Sequence, residues 1–376
     1  MQAGAEISGF VGAQQRWFYE TAAHAQQTDK PFALTAELEW YQRFNDNNSL
    51  TITPYLRLDS DDSERNSIDF RELYWLHVGS NWEFGAGLSK VFWGVTESQH
   101  LVDIINQTDA VAAVDGEEKL GQPMLRYSYT TDAGAIDVFL LPGFRERTFP
   151  GEEGRLRPAL LISDDARYES AAEERHVDIA GRWVETLGDW DVGLSFFKGT
   201  SRDPEFVLVN ENQQLQLQPY YRQIQQLGVD AQLTTGQWLW KIESLYREGM
   251  AKDYGAFTGG FEYTFYGVRQ SFVDLGLIVE YSYDSRDDEA ATTMQNDVFV
   301  GGRISWNDQA SSELLFGLTQ DCDESSHAGK IEANTRIGES TKVYLEAWFF
   351  KSEQLSDPLY AFKQDSFFEL TLEYYF

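Results

Sequence analysis

The chain has 376 residues, 42% hydrophobic, 15% aromatic and 24% charged, with a formal charge of −31. No run of about 18 apolar residues occurs, so a transmembrane helix is excluded. The acidic surplus argues against nucleic acid, which needs basic patches. A mean hydropathy of −0.44 leaves a membrane β-barrel open, because half of each barrel strand faces water.

In chain order, residues 5–19 read as a first strand. Met1-Gln2-Ala3 has neither a basic n-region nor an apolar h-region, so we expect a start methionine in place of a removed signal peptide. The second strand alternates cleanly. Phe32, Leu34, Ala36, Leu38 and Trp40 share one face, and Thr35, Glu37, Glu39 and Tyr41 the other. Asn45-Asp46-Asn47-Asn48 makes a tight turn. The third strand places Leu50, Ile52, Pro54, Leu56 and Leu58 outward, with Thr51, Thr53, Tyr55 and Arg57 inward. Strand four covers Ser67 to Val78, and strand five Trp82 to Trp93. Short turns then fall near residues 131–134, 187–189, 234–236, 268–271, 307–310 and 338–340. Longer polar connections fall at 94–122, 144–175, 200–218, 251–255, 285–296, 321–327 and 352–365. A tenth strand is expected over Pro219 to Leu233. The last strand, Ser366 to Phe376, sets Phe368, Leu370, Leu372, Tyr374 and Phe376 on one face. As an open edge it would invite aggregation, whereas a closed barrel in lipid has a use for that face.

These segments predict a single all-β domain over 1–376, a closed antiparallel transmembrane β-barrel of about 18 strands, with 16 as the alternative count. Short turns would face the periplasm and long loops the exterior of a Gram-negative outer membrane. Expected partners are outer-membrane lipid, lipopolysaccharide, the barrel assembly machinery reading Tyr374-Tyr375-Phe376, and a small-molecule solute. No nucleic acid is expected, and a monomer is expected in preference to a homotrimer. A soluble sandwich, β-helix or propeller is the competing reading of the alternation. The single cysteine, Cys322, permits no internal disulfide and falls in an expected exterior loop.

The predicted inner face carries both signs, with Arg57, Arg71, Arg182, Lys241 and Lys330 beside Glu37, Asp230, Glu243, Glu280 and Glu346. Acidic clusters at Asp59–Glu64, Glu173-Glu174, Asp284–Glu289 and Asp321–Glu324 fall in exterior loops; they read as solvated loops rather than Ca²⁺ or Mg²⁺ sites. Connection 94–122 is too long and too apolar (Leu101, Val102, Ile104, Ile105, Val111) to remain in water, and the barrel wall is the nearest surface for it. Folded into the lumen, it would turn Glu97, Asp103, Asn106 and Asp109 toward a channel, with a loop packed over the rim as the alternative. Arg71, Arg126 and the arginines after Phe144, led by Arg145 and Arg147, would supply the positive side of a constriction and suit a carboxylate-bearing solute. Arg145, Arg147, Arg155, Arg157 and Arg167 could equally pair with Glu146, Glu152 and Glu153.

Within Phe70 to Asp109, the residues Arg71, Glu72, Tyr74, Lys90, Trp93, Gly94, Asp103, Asn106 and Asp109 follow an R-E-x-Y strand, a W-G strand end and a D-x-x-N-x-x-D loop. In this the chain resembles a group of porin-like outer-membrane proteins of Gram-negative bacteria, related in style to the alginate exporter. Gln107 stands where that pattern has proline. The resemblance implies a channel or exporter. Catalysis is not expected: no G-x-S-x-G elbow, H-E-x-x-H motif or Cys/His metal spacing accompanies the five histidines. No cofactor or metal is expected. A non-conducting surface barrel or an outer-membrane hydrolase are the alternatives.

Overall fold

The computed structural model describes residues 4–211, 213–290 and 292–376. Met1, Gln2 and Ala3, which carry the start-methionine reading, and the side chain of Asp288 lie outside the described residues. The strands are β1 (Ala5–Phe18), β2 (Phe32–Asn45), β3 (Asn48–Asp59), β4 (Ser67–Val78), β5 (Trp82–Ser89), β6 (Gln122–Thr131) and β7 (Gly134–Pro142). After them come β8 (Arg167–Tyr168), β9 (Val177–Leu187), β10 (Trp190–Thr200), β11 (Glu205–Glu211), β12 (Gln214–Tyr221), β13 (Gln223–Thr235) and β14 (Trp238–Glu248). The remainder are β15 (Tyr254–Phe265), β16 (Asp274–Asp284), β17 (Asn296–Ser305), β18 (Glu313–Asp321), β19 (His327–Ile337), β20 (Thr341–Lys351) and β21 (Phe367–Tyr375). Eighteen of them form one antiparallel sheet, each pairing with its barrel neighbours in chain order. The sheet closes where β21 meets β1, from Phe10↔Tyr375 to Phe18↔Phe367.

Alternation decides which side chains face out. Leu34, Leu38 and Leu58, Leu277, Tyr281 and Tyr283, and Leu372 and Tyr374 all stay exposed, a band of apolar surface that water would penalise and lipid accepts. The intervening Thr35, Arg57, Glu280, Ser282 and Glu369 are buried inside. The tight ends are made by residues that reach the left-handed region at little cost, as Gly188 and Gly338 do at φ 69°.

One irregularity shapes the interior. Pro54 in β3 has no N–H to give the ladder, and the β3–β4 register slips beside it, from Thr53↔Glu72 to Pro54↔Phe70. Arg71 is the extra residue of the bulge. Arg71 and Glu72, neighbours in sequence, therefore both turn inward. Arg71 lies over the Tyr55 ring at 4.0 Å, and Glu72 accepts from Ser89 Oγ at 2.6 Å.

Two boundaries differ from expectation. β5 stops at Ser89, because Trp93 leaves the wall to pack edge-on against Phe139 inside, where it is buried. The expected tenth strand begins at Gln223, as Pro219–Tyr221 belong to β12. With β11 and β8, β12 forms a three-stranded sheet outside the barrel ladder, inside what read as two polar connections.

Candidate functional site

The connection between β5 and β6 gathers the interior around it. Its apolar residues Val102, Ile104 and Ile105 are buried in one cluster with Trp93, Met124 of β6, Phe139 and Leu141 of β7, Phe197 of β10 and Ile224 of β13. Two wall carboxylates receive its backbone. Glu243 of β14 accepts from the N–H groups of Val95 (2.7 Å), Thr96 (3.0 Å) and Val102 (3.2 Å). Glu280 of β16 accepts from Glu97 N–H (2.9 Å) and Ser98 N–H (2.8 Å). From the other side Arg202, buried, donates two hydrogen bonds to the Ile105 carbonyl at 3.1 and 3.0 Å and pairs with Asp178 at 2.7 Å. Gly94 is required at the turn: its φ is +149°, and a Cβ there would sit 2.9 Å from Glu243 Oε1.

The residues singled out from sequence are placed as follows. Glu97 pairs with Arg303 at 2.6 Å and approaches Lys241 at 3.8 Å. Asp103 accepts from Trp93 N–H at 3.3 Å and meets Lys119 at 3.3 Å; burial raises its carboxyl above the usual range despite Lys119. Asn106 is buried, accepting from Val91 N–H (2.8 Å) and donating to the carbonyls of Ser89 (2.9 Å) and Leu120 (2.8 Å). It clasps the two ends of the connection. Asp109, also buried, accepts from Thr148 Oγ1 at 2.8 Å. The side-chain oxygens of Glu97 therefore reach the charged interior, whereas those of Asn106 and Asp109 are engaged within the fold.

Each arginine of the set holds an acid. Arg71 pairs with Glu118 (2.6 Å), Arg126 with Asp137 (2.8 Å), Arg145 with Asp69 (2.9 Å) and Arg147 with Asp203 (2.7 Å). Arg145 also donates to the Gly121 carbonyl at 3.0 Å. Burial would raise Asp203, but the guanidinium groups of Arg147 and Arg247 beside it outweigh that and hold its carboxyl well below the carboxylate range. Of the local partners expected for these arginines, none is used by Arg145, Arg147 or Arg155: their carboxylates come from distant strands and loops, and Glu146 instead accepts from the Tyr168 hydroxyl. Among the described residues no group of three or more His, Cys, Asp or Glu gathers at metal-binding range.

Sequence reasoning placed Glu243 and Glu280 among the lining charges and missed them as anchors. Their signal was available: two inward acids on alternate strands, opposite a connection that begins Gly94-Val95-Thr96. Arg202 carried no such signal, because its partner carbonyl lies 97 residues away.

No family model and no curated protein matches the chain. Solved structures do. A BenF-like porin from Pseudomonas fluorescens Pf-5 aligns over 100% of this chain and 98% of its own, with TM-score 0.57 and 10% identity. Wzi of Escherichia coli, an outer-membrane protein involved in group 1 capsule assembly and described as a carbohydrate-binding β-barrel, aligns over 96% of this chain and 83% of its own, with TM-score 0.55 and 10% identity. The fold is that of the porin-like outer-membrane β-barrels.

Proposed function

We propose that this protein is a channel of the Gram-negative outer membrane for small polar solutes, in which residues 94–122 narrow the passage. One observation carries the reading: a connection between adjacent strands is bonded to wall residues as far round the sheet as Glu243, Glu280 and Arg303, while water-sized space remains beside it. A recess of about 510 Å³ reaches Val95, Arg182, Asp191 and Asp230, and another of about 320 Å³ touches Glu97, His100 and Glu117. Charge of both signs on that lining favours a hydrated polar solute. At these four arginines a carboxylate-bearing solute, the narrower form of this reading, draws less support, since Arg71, Arg126, Arg145 and Arg147 are each neutralised by an acid.

The R-E-x-Y and W-G pattern supports kinship with the alginate-exporter-like group. Apolar outward residues occur round the barrel, among them Val11, Val138, Leu194, Trp240, Phe316 and Phe349, which favours a monomer in lipid. Lipopolysaccharide would meet the long-loop side, and the assembly machinery would read the strand ending at Phe376.

Planar-bilayer recording tests the channel. The purified protein should give discrete conductance steps, and deletion of residues 98–116 should enlarge them. Steps unchanged by the deletion would remove the constriction, and a bilayer silent across voltages and salts would favour a non-conducting barrel. Robust turnover in a hydrolase screen would favour the enzymatic alternative.

A further inference from the structure

The cavity of about 320 Å³ has two unlike sides. The wall side is aromatic: Phe299 of β17, Trp348 and Phe350 of β20, and Phe362 of the turn Pro358–Phe362. Trp348 and Phe350 stack at 5.8 Å with an 11° interplanar angle, and Phe350 meets Phe362 at 5.9 Å. Phe299 lies against the backbone of Gly301 and Gly317; a Cβ on Gly317 would come within 2.3 Å of its ring, so glycine there makes the recess. Alternation turns Phe299, Trp348 and Phe350 inward, opposite to the exposed Val300 and Phe349, and inward aromatics are not what a plain aqueous lining needs.

The facing side is acidic and comes from the connection, while Lys330 of β19 stands on the wall itself, paired with Trp348 in the strand register. Asp115 is exposed and has no ion pair among the described residues. Among the described residues, Glu117 pairs only with His100, at 3.9 Å. Lys330 brings an ammonium group, 3.2 Å from Glu332. Opposite charges thus border one small space, next to rings that offer stacking. A plain anion would confront Asp115 and Glu117. A plain cation would confront Lys330 and the imidazole of His100. A wholly polar solute would leave the aromatic wall without a partner. The volume lies at the lower end of small-molecule sites, roughly 300–1,000 Å³.

We infer that this cavity is a binding site for a small zwitterion with an aromatic side chain, of the chemical class of an aromatic α-amino acid. Its ammonium group would face Asp115 and Glu117, its carboxylate Lys330, and its ring the surface of Trp348 and Phe350. The inference rests on the channel reading for its role in passage, but the site stands on the cavity itself.

The test compares L-phenylalanine with phenethylamine, 3-phenylpropionate and glycine, which remove the carboxylate, the ammonium and the ring in turn. In single-channel recording, L-phenylalanine should block at a concentration at least about tenfold below that of each of the other three. Trp348→Ala and Lys330→Gln should each raise that concentration by about tenfold or more. Isothermal titration of the detergent-solubilised wild-type protein with the same four compounds gives the ranking without conductance or substitution. An open channel with no preference for L-phenylalanine in either measurement overturns the site and leaves the channel. A silent bilayer with the ranking intact in titration overturns the channel and leaves the site.

Discussion

His100 keeps its charge at neutral pH against the pull of burial. Burial lowers an imidazole, but Glu117 at 3.9 Å and Glu243 at 3.8 Å outweigh it and raise His100 to about 9. Because the folded value lies above the unfolded value near 6.5, the stabilisation is complete below about pH 6.5 and is lost as pH rises through about 9. Its size is at most about 3 kcal/mol. Thermal unfolding of the detergent-solubilised protein should show the wild type losing more stability between pH 7.5 and 10 than His100→Gln; equal losses would contradict the pairing. At this scale the sequence was informative about residue type and silent about partner. Asp103, Asn106 and Asp109 stood out by their spacing. Asn106 emerged as a clasp on Val91, Ser89 and Leu120, because a carboxamide between two buried chain ends has no other way to satisfy three polar groups.

Among the elements, the long connections are stapled to one another by arginine. Arg155, almost wholly buried, pairs with Asp365 of the β20–β21 connection at 2.6 Å and with Asp29 of the β1–β2 connection at 2.8 Å, and lies 4.2 Å over the Phe18 ring. Arg155→Ala would strand a buried carboxylate and should cost about 3–5 kcal/mol of unfolding free energy. It should also expose 143–176 to limited proteolysis, and an unchanged cleavage pattern would show that the staple holds nothing. The arginine concentration after Phe144 was plain in the sequence, but its partners were not, since Asp29, Asp69, Asp203 and Asp365 are scattered along the chain. The β3–β4 bulge has the same character. Pro54 announces a missing donor, yet only the paired strand shows that Arg71 and Glu72 both face inward. The sheet of β8, β11 and β12 escaped the reading because its strands are short and its pairing of Tyr220 with Arg167 is parallel and distant.

The whole molecule is a closed eighteen-stranded barrel with its long connections on one side. Cys322 follows β18 on that side and is exposed. On intact cells displaying the protein, a membrane-impermeant maleimide should label Cys322; labelling only after unfolding would reverse the topology or bury the thiol. The barrel was legible from sequence because a period of two is a local property: one face of each strand had to be lipid-compatible, and turn residues marked the ends. Alternation, strand order and the closing strand near Phe376 therefore belong to the sequence alone. The interior does not. Whether an inward acid such as Glu243 lines a passage or accepts the backbone of Val95 and Thr96, and which groups of the connection the inward rings of Phe299, Trp348 and Phe350 face, depends on which strands closure brings face to face. The tertiary structure decided those pairings, because they join residues a hundred or more positions apart whose attraction exists only once the sheet has closed on itself.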